Sequence, residues 1–250
     1  MKNKLICIYI VLLWGCNTLM EQTSPLEGDF FIQDGWLAFT SRNYDEAGKH
    51  FNTAIETDDS GSLVHFLSYV GLGWTQIYKA HSIKETSENG LVKSAGENFD
   101  FALTILSESI ENPPESRDID NLYAGFALQR TYFAKQKAAN GIEWETTNVA
   151  LSDTVRMLYQ ESIEFSNELK SDFVFKHDFN LNFIDILLLR TENYLILGNV
   201  DKAIATFHQL DFEELDFEIT SACKQGVNAD MIVECLCIVI NNGICPLVQE

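Results

Sequence analysis

The chain has 250 residues and an apolar content of 46%, enough for one or two domains with a substantial core, which excludes a wholly disordered chain. Its 37 acidic side chains against 17 Lys and Arg give a formal net charge of -20. This charge argues against binding to nucleic acid or to anionic lipid headgroups, because both surfaces attract basic patches.

The first sixteen residues follow the order of an export signal. A basic start at residues 1–4 precedes an apolar run over residues 5–14, and Gly15 and Cys16 follow it. The run is too short to span a bilayer, which needs about 20 apolar residues. The Gly–Cys ending resembles the lipobox of bacterial lipoproteins.

That resemblance implies a lipoprotein signal peptide at 1–15, cleavage before Cys16 and lipid attachment to this cysteine. Residues 16–27 are then a lipidated tether. The resemblance places the protein in the bacterial cell envelope. Because Asn17 is not the Asp that commonly retains lipoproteins in the inner membrane, we expect the outer membrane, facing the periplasm.

From about residue 28 the apolar pattern is helical. Phe31 and Gly35 share one face of a first helix, and a polar turn at 41–43 interrupts it. A second helix then carries a stripe at i, i+4 and i+7 that begins at Ala47 and continues through Phe51 to Ala54. Small residues allow two helices to approach closely, and large rings fill the space beside them.

This order of aromatic, small and aromatic residues resembles the tetratricopeptide repeat. The last unit repeats it, with Thr191 and Leu210 where the first unit has Gly35 and Ala54. The residues assigned to repeat packing are Gly35, Tyr44, Ala47, Phe51, Ala54, Gly71, Trp74, Ala95, Phe99, Ala102, Tyr194, Gly198, Ala203 and Phe207.

Two central units follow the pattern less closely. In the second unit the connection between the two helices, residues 81–93, is longer than the standard turn of the repeat. The third unit has a similarly long connection at about 138–147. In the third unit Gly125 marks the first helix, and the stripe of the second helix is Val155, Tyr159 and Ser162.

The resemblance implies an all-α fold, a right-handed α-solenoid of about four tetratricopeptide-like helix hairpins over residues 28–212. Residues 213–250 are expected to form an acidic segment and a C-terminal capping helix. The capping helix is expected at 228–242, because a solenoid must cover its last apolar face. A strand is the alternative there, given the content of Ile, Val and Cys.

Four cysteines lie in the last 28 residues, and export would place them in an oxidising compartment. They allow three disulfide pairings, and free thiols packed as small apolar groups are the alternative. The four are Cys223, Cys235, Cys237 and Cys245.

The sequence contains no motif that indicates catalysis. None of the five histidines belongs to a metal-binding pattern, and no nucleophile motif occurs. We therefore expect a protein that is not an enzyme and that has neither a cofactor nor a metal site.

The resemblance also implies a groove, lined by the first helix of each hairpin, that holds a peptide, a helix or a loop of a partner. The expected partner is another envelope protein or peptide, with the membrane reached through the covalent lipid and no nucleic acid bound. The candidate groove residues are Trp36, Phe39, His65, Leu72, Gln76, Phe126, Gln129, Arg130, Glu192 and Leu195.

Two alternatives remain open. The first alternative is that three of the aromatic groove residues fill the core between hairpins, as aromatics at helical spacing commonly do. These three are Trp36, Phe39 and Phe126. On the second, the protein is a small-ligand-binding lipoprotein that works beside a transporter. The two long connections favour such a carrier, which should enclose an apolar cavity of several hundred Å³.

Overall fold

The computed structural model describes residues 27–58, 62–85, 90–108, 113–139, 151–178 and 180–210. Regular secondary structure in these ranges is helical, and the one β-bridge there joins Val174 to Asn182. The expected all-α class is thus confirmed for this part of the chain. The predictions for the signal peptide, for residues 16–26 of the tether and for 213–250 lie outside the described residues.

Eight helices lie in the described ranges, and they follow one another as four pairs. The pairs are α1 (Glu27–Thr40) with α2 (Tyr44–Thr57), α3 (Leu63–Ser82) with α4 (Leu91–Ser107), α5 (Ser116–Ala139) with α6 (Asp153–Asn167), and α7 (Phe183–Ile196) with α8 (Val200–Phe207). We call α1, α3, α5 and α7 the first helices and the others the second helices.

Local sequence accounts for several helix ends. The Ser62 hydroxyl accepts a hydrogen bond from the His65 backbone N–H at 3.1 Å and caps the start of α3. Asn182 and Asp185 form a reciprocal capping box at the start of α7. Gly198 ends α7 with a φ of 76°, and a β-carbon there would meet nothing within 4 Å. This glycine therefore makes the turn to α8, whereas the sequence had assigned it to packing.

The helices pack in chain order. Each helix contacts the next one, and each first helix also contacts the first helix of the following pair. In the described part of the chain, no second helix contacts another second helix. The first helices therefore form a continuous row, which leaves each of them a side that the second helices do not cover.

A phenylalanine of α2 lies between glycines of two neighbouring first helices. A β-carbon added at Gly35 of α1 would come within 2.7 Å of the Phe51 ring, and one at Gly71 of α3 within 2.5 Å. Phe51 itself is fully buried. The absence of both side chains is what lets one ring pack against α1 and α3 at once.

The second pair of helices repeats this arrangement. Phe99 of α4 is fully buried between Gly73 of α3 and Gly125 of α5, where added β-carbons would each come within 2.4 Å of its ring. The same small–large–small contact therefore joins the first three hairpins.

The predicted stripe on the second helices is buried in all four pairs, with no member more than 4% exposed. Its members are Ala47, Phe51 and Ala54 on α2, Ala95, Phe99 and Ala102 on α4, Val155, Tyr159 and Ser162 on α6, and Ala203, Phe207 and Leu210 at α8.

A buried polar cluster joins the third and fourth pairs. The Asn193 side-chain amide donates to the hydroxyls of Thr131 and Ser162 at 2.8 and 2.9 Å, and all three residues are fully buried. Ser162 also donates to the Ala127 carbonyl at 2.7 Å. At this position hydrogen bonds take the place of the glycine–phenylalanine contact seen in the earlier pairs. These bonds satisfy the buried hydroxyls of Thr131 and Ser162.

Candidate functional site

The connection from α6 to α7 lies across the first helices of the N-terminal half. We call residues 169–178 the strap. Phe173 and Phe175 are buried, whereas Val174 between them is 44% exposed. This alternation is that of extended chain, in which successive side chains point to opposite sides.

The strap covers an aromatic patch that consists of Trp36 and Phe39 of α1 and Trp74 and Tyr78 of α3. The Phe175 ring stacks on Trp74 with ring centroids 4.1 Å apart. It meets Trp36 and Phe39 edge to face at 6.1 and 6.0 Å. Phe175 is fully buried, so the patch holds its ring on several sides, in the geometries that aromatic pairs prefer.

Two further side chains hold the end of the strap. The His177 ring stacks on Trp36, and the Tyr78 hydroxyl donates to an oxygen of the Asp178 carboxylate at 2.9 Å. Burial lowers the pKa of His177 to about 4, so its ring is uncharged at neutral pH. Burial and the bond to Asp178 raise the pKa of Tyr78, which keeps this hydroxyl a donor.

The backbone hydrogen bonds of the strap are made within the strap, to the end of α6, and to residues 181–183 at the start of α7. Phe175 N–H donates to the Leu181 carbonyl at 2.9 Å, and Phe183 N–H donates to the Phe173 carbonyl at 3.0 Å. Between described residues, no backbone–backbone hydrogen bond links the strap to α1 or α3. The strap is therefore a small hairpin that contacts the patch through its side chains.

Five of the ten predicted groove residues are buried, which places them in the core. Phe39 lies under the strap, and Phe126 stacks on Phe165 of α6 with ring centroids 4.2 Å apart. Core packing is the alternative that the sequence had left open for both aromatics. The buried five are Phe39, His65, Leu72, Phe126 and Gln129.

Several predicted groove residues bond to second helices or to the chain that follows them. His65 Nε2 donates to the Ile55 carbonyl of α2 at 2.9 Å. Gln76 accepts a hydrogen bond from Asn98 of α4 at 2.8 Å. Such residues stabilise contacts between a first helix and a second helix, and they do not line the open side of the row.

The same holds for the two predicted residues on α5. Gln129 donates to the Val92 carbonyl of α4 at 2.8 Å. Arg130 pairs with Asp100 of α4 at 3.0 Å and with Glu161 of α6 at 2.8 Å. Arg130 therefore ties two second helices to the first helix between them.

The remaining two predicted groove residues lie on α7, away from the patch. Glu192 pairs with Lys135 of α5 at 2.9 Å, and both side chains keep some exposure. Leu195 packs beside Leu187 and Phe207 in a small apolar cluster. Of the ten, Trp36 and Phe39 meet at the aromatic patch, and the ten do not form one groove.

Sequence reasoning missed Tyr78 and the whole strap as parts of this site. One signal was present: residues 173–175, Phe-Val-Phe, form a short run of aromatic and β-branched residues in a connection that joins two helices. Such a run favours a short extended segment.

A surface pocket of about 610 Å³ lies between the strap and the start of α5. Six of its nine lining residues are charged, so it differs from the apolar cavity expected of a small-ligand carrier. Burial raises the pKa of one of the lining carboxyls, Asp120. The lining residues are Glu115, Ser116, Arg117, Asp120, Lys170, Asp172, Phe173, Val174 and Lys176.

Among the described residues, no three side chains of His, Cys, Asp or Glu are placed to hold one metal ion. No helix in the described ranges combines the length and apolar character that a membrane crossing requires.

No protein-family model, curated protein or solved structure matches the chain. What the described structure defines is an all-α protein of paired helices with its own strap on the row of first helices.

Proposed function

We propose that the protein is a lipid-anchored scaffold of the bacterial cell envelope, which binds a protein or peptide partner on its row of first helices. In this proposal the paired helices are a right-handed solenoid of tetratricopeptide-like hairpins. The chain-order packing of the helices supports it, because stacked repeats contact only their neighbours. Repeat proteins of this kind use the extended surface so formed to bind partners.

The strap gives this proposal its most direct support. A non-helical segment of the chain, the strap, lies on α1 and α3 and buries Phe175 against their aromatic side chains. The open side of the first helices therefore accommodates a peptide-like segment. Aromatic side chains with a polar tip, such as Tyr78, are also typical of protein interfaces.

The row continues beyond the strap with polar side chains. Lys135 and Glu192 form an ion pair between α5 and α7, with side chains 40% and 20% exposed. Tyr132 and Gln136 lie beside them on α5 and are half-buried. An interface commonly has such a polar rim next to an apolar centre, so a partner on the row would contact both parts.

A site-specific photocrosslinker tests the partner in intact cells. The photoreactive amino acid p-benzoylphenylalanine would replace Lys135 on the first helix α5 or, as a matched control, Phe101 on the second helix α4, which is 56% exposed. We expect a defined crosslinked product from position 135 and none from position 101. Absence of products at 135 under conditions that preserve the membrane-bound protein would contradict the proposed surface.

The membrane anchor has its own test. Cys16→Ser removes the thiol to which the lipid would be attached. Two or more acyl chains anchor a protein stably, because each buried CH₂ contributes about 0.8 kcal/mol. We therefore expect the variant to move from the membrane fraction to the soluble fraction. A variant that stays with the membrane would show that another feature holds the protein there.

A further inference from the structure

We propose that the aromatic patch is a binding site for a partner segment with an aromatic residue three positions before an acidic residue. The strap, with Phe175 and Asp178 at those positions, is then an internal occupant that the partner segment displaces. This inference rests on the proposed function, and it names the chemistry of the segment that the row binds.

The patch is shaped for one flat ring. Trp74 stacks on one face of Phe175, and Trp36 and Phe39 meet the ring edge to face. The three partners come from two different first helices, so the site exists only where α1 and α3 pack together. A buried aromatic anchor in such a pocket is the kind of residue that dominates binding energy in protein interfaces.

The acidic position has an equally specific partner. The Tyr78 hydroxyl donates to the Asp178 carboxylate at 2.9 Å, and Tyr78 also contacts Phe39 with ring centroids 5.0 Å apart. The hydroxyl is thereby aimed from the edge of the patch at an acceptor. A partner segment without an acceptor here would leave this half-buried donor unsatisfied.

Few polar contacts hold the strap on the patch. Its backbone groups bond to Leu181 and to Phe183 at the start of α7, so removal exposes no unpaired backbone group on α1 or α3. In the described part of the chain, the one hydrogen bond between the strap and the patch is that of Tyr78 with Asp178. Water replaces a single bond of this kind at small net cost.

The apolar contacts explain why an occupant is needed. Leaving the patch uncovered would expose the rings of Phe175 and of its aromatic neighbours to water, which is unfavourable in proportion to the area exposed. The strap is tethered at both ends, so its effective concentration exceeds that of a free peptide. A partner must therefore add contacts elsewhere on the row, or the strap must be weakened, before displacement is seen.

A binding experiment with the full-length chain tests this inference. The probe is a fluorescein-labelled peptide with the sequence of residues 170–183, and fluorescence anisotropy reports its binding. Phe175→Ala removes the internal ring, so we expect the peptide to bind this variant at least tenfold more tightly than the unaltered protein. A peptide with Ala in place of its second Phe should lose at least tenfold in affinity for the same variant.

Two more variants keep the test decisive if Phe175→Ala fails to fold, as judged by helical circular dichroism. His177→Ala removes only a half-buried stacking partner of Trp36, and it should tighten peptide binding at least threefold. Leu37→Ala changes a residue of α1 that is 66% exposed and outside the patch, and it should bind as the unaltered protein does.

Equal affinity for the unaltered protein and for the weakened-strap variants would overturn the inference, as would equal binding of the peptide with Ala. Such a result together with crosslinks from position 135 would leave the scaffold function standing. Tight peptide binding without crosslinks would instead support the patch as a site and contradict the partner surface on α5.

Discussion

The imidazole ring of His177 lies flat against the indole ring of Trp36, with ring centroids 3.7 Å apart and ring planes within 1° of each other. The two residues belong to the strap and to α1, which are far apart in the chain. The described helices themselves contact only their neighbours in the chain or, for first helices, the first helix of the adjoining pair. The strap therefore ties the end of α6 back to the first hairpin.

Acid should weaken this tie. The pKa of His177 is about 4 in the folded protein, because burial disfavours the charged ring and Lys176 adds to the effect, against about 6.5 for an unperturbed histidine. Between these values the unfolded chain binds the extra proton, so stability is complete above about pH 6.5 and is lost as the pH falls towards 4. We expect a lower free energy of unfolding in urea at pH 4.5 than at pH 7.

His177→Phe provides the matched control, because it keeps a flat ring against Trp36 and cannot be protonated. The loss of stability between pH 7 and pH 4.5 should be smaller in this variant than in the unaltered protein. Nuclear magnetic resonance titration of the His177 ring measures its pKa directly, and a value above 6 would contradict the prediction.

Alanine should be destabilising at Gly71 although it is the better helix former. Its β-carbon would come within 2.5 Å of the Phe51 ring, which α1 already holds from the other side. Overpacking of this kind costs about 1–3 kcal/mol, more than the gain of about 1 kcal/mol from helix propensity. We expect a net loss in the free energy of unfolding measured with urea.

Gly48→Ala is the control on α2, where an added β-carbon meets nothing within 4 Å. Here the propensity gain stands alone, so this variant should be more stable by about 0.5–1 kcal/mol. If Gly71→Ala and Gly48→Ala changed stability in the same direction, the packing of the Phe51 ring between Gly35 and Gly71 would be contradicted.

Truncation of Phe99 should have one of the largest effects on stability in the chain. The ring is fully buried between α3 and α5, so Phe99→Ala leaves a cavity at the contact of three helices and should cost about 3–5 kcal/mol. Phe101→Ala, two positions along the same helix, removes a ring that is 56% exposed and stacked on Tyr69. It should cost about 1 kcal/mol or less. Similar losses in the two variants would place Phe99 outside the core.

The polar cluster between the third and fourth hairpins gives a different expectation. Asn193→Ala removes the amide that donates to Thr131 and Ser162, and it should cost about 1–3 kcal/mol because these buried groups lose a partner. Thr53→Ala removes an exposed hydroxyl that donates to the Lys49 carbonyl, and it should change stability by about 0.5 kcal/mol or less.

A double-mutant cycle with Ser162→Ala checks the cluster. Ser162 stands where α2 and α4 carry Ala54 and Ala102, so an alanine there fits the space. The two substitutions at Ser162 and Asn193 should be non-additive, because each removes the same hydrogen bond. Strict additivity would show that the two side chains act independently.

The sequence alone was sufficient for features that depend on local spacing. The stripe of Ala47, Phe51 and Ala54 and its three counterparts are buried as the helical period predicts, because residues at i, i+4 and i+7 share one face of any α-helix. The close approach of helices at Gly35 and Gly71 follows from the same spacing, since a ring of fixed size needs a small residue opposite it.

The side of each first helix that stays open could not be predicted from this spacing. Gln76 turns towards Asn98 of α4, whereas Tyr78 turns towards Asp178 of the strap. Residues two positions apart on a helix differ by about 200° around its axis, so a small error in phase moves a residue from one side to the other. The docking of neighbouring hairpins sets that phase.

The position of the strap on the aromatic patch depended on tertiary structure. Phe175 finds its partners on α1 and α3, and no local pattern relates an extended segment to a surface formed more than a hundred residues earlier. The sequence by itself therefore determined which faces of the helices are buried, because helical periodicity is a local property. Only the packed structure decided what covers the aromatic patch, because that contact joins parts of the chain that meet after the hairpins have assembled.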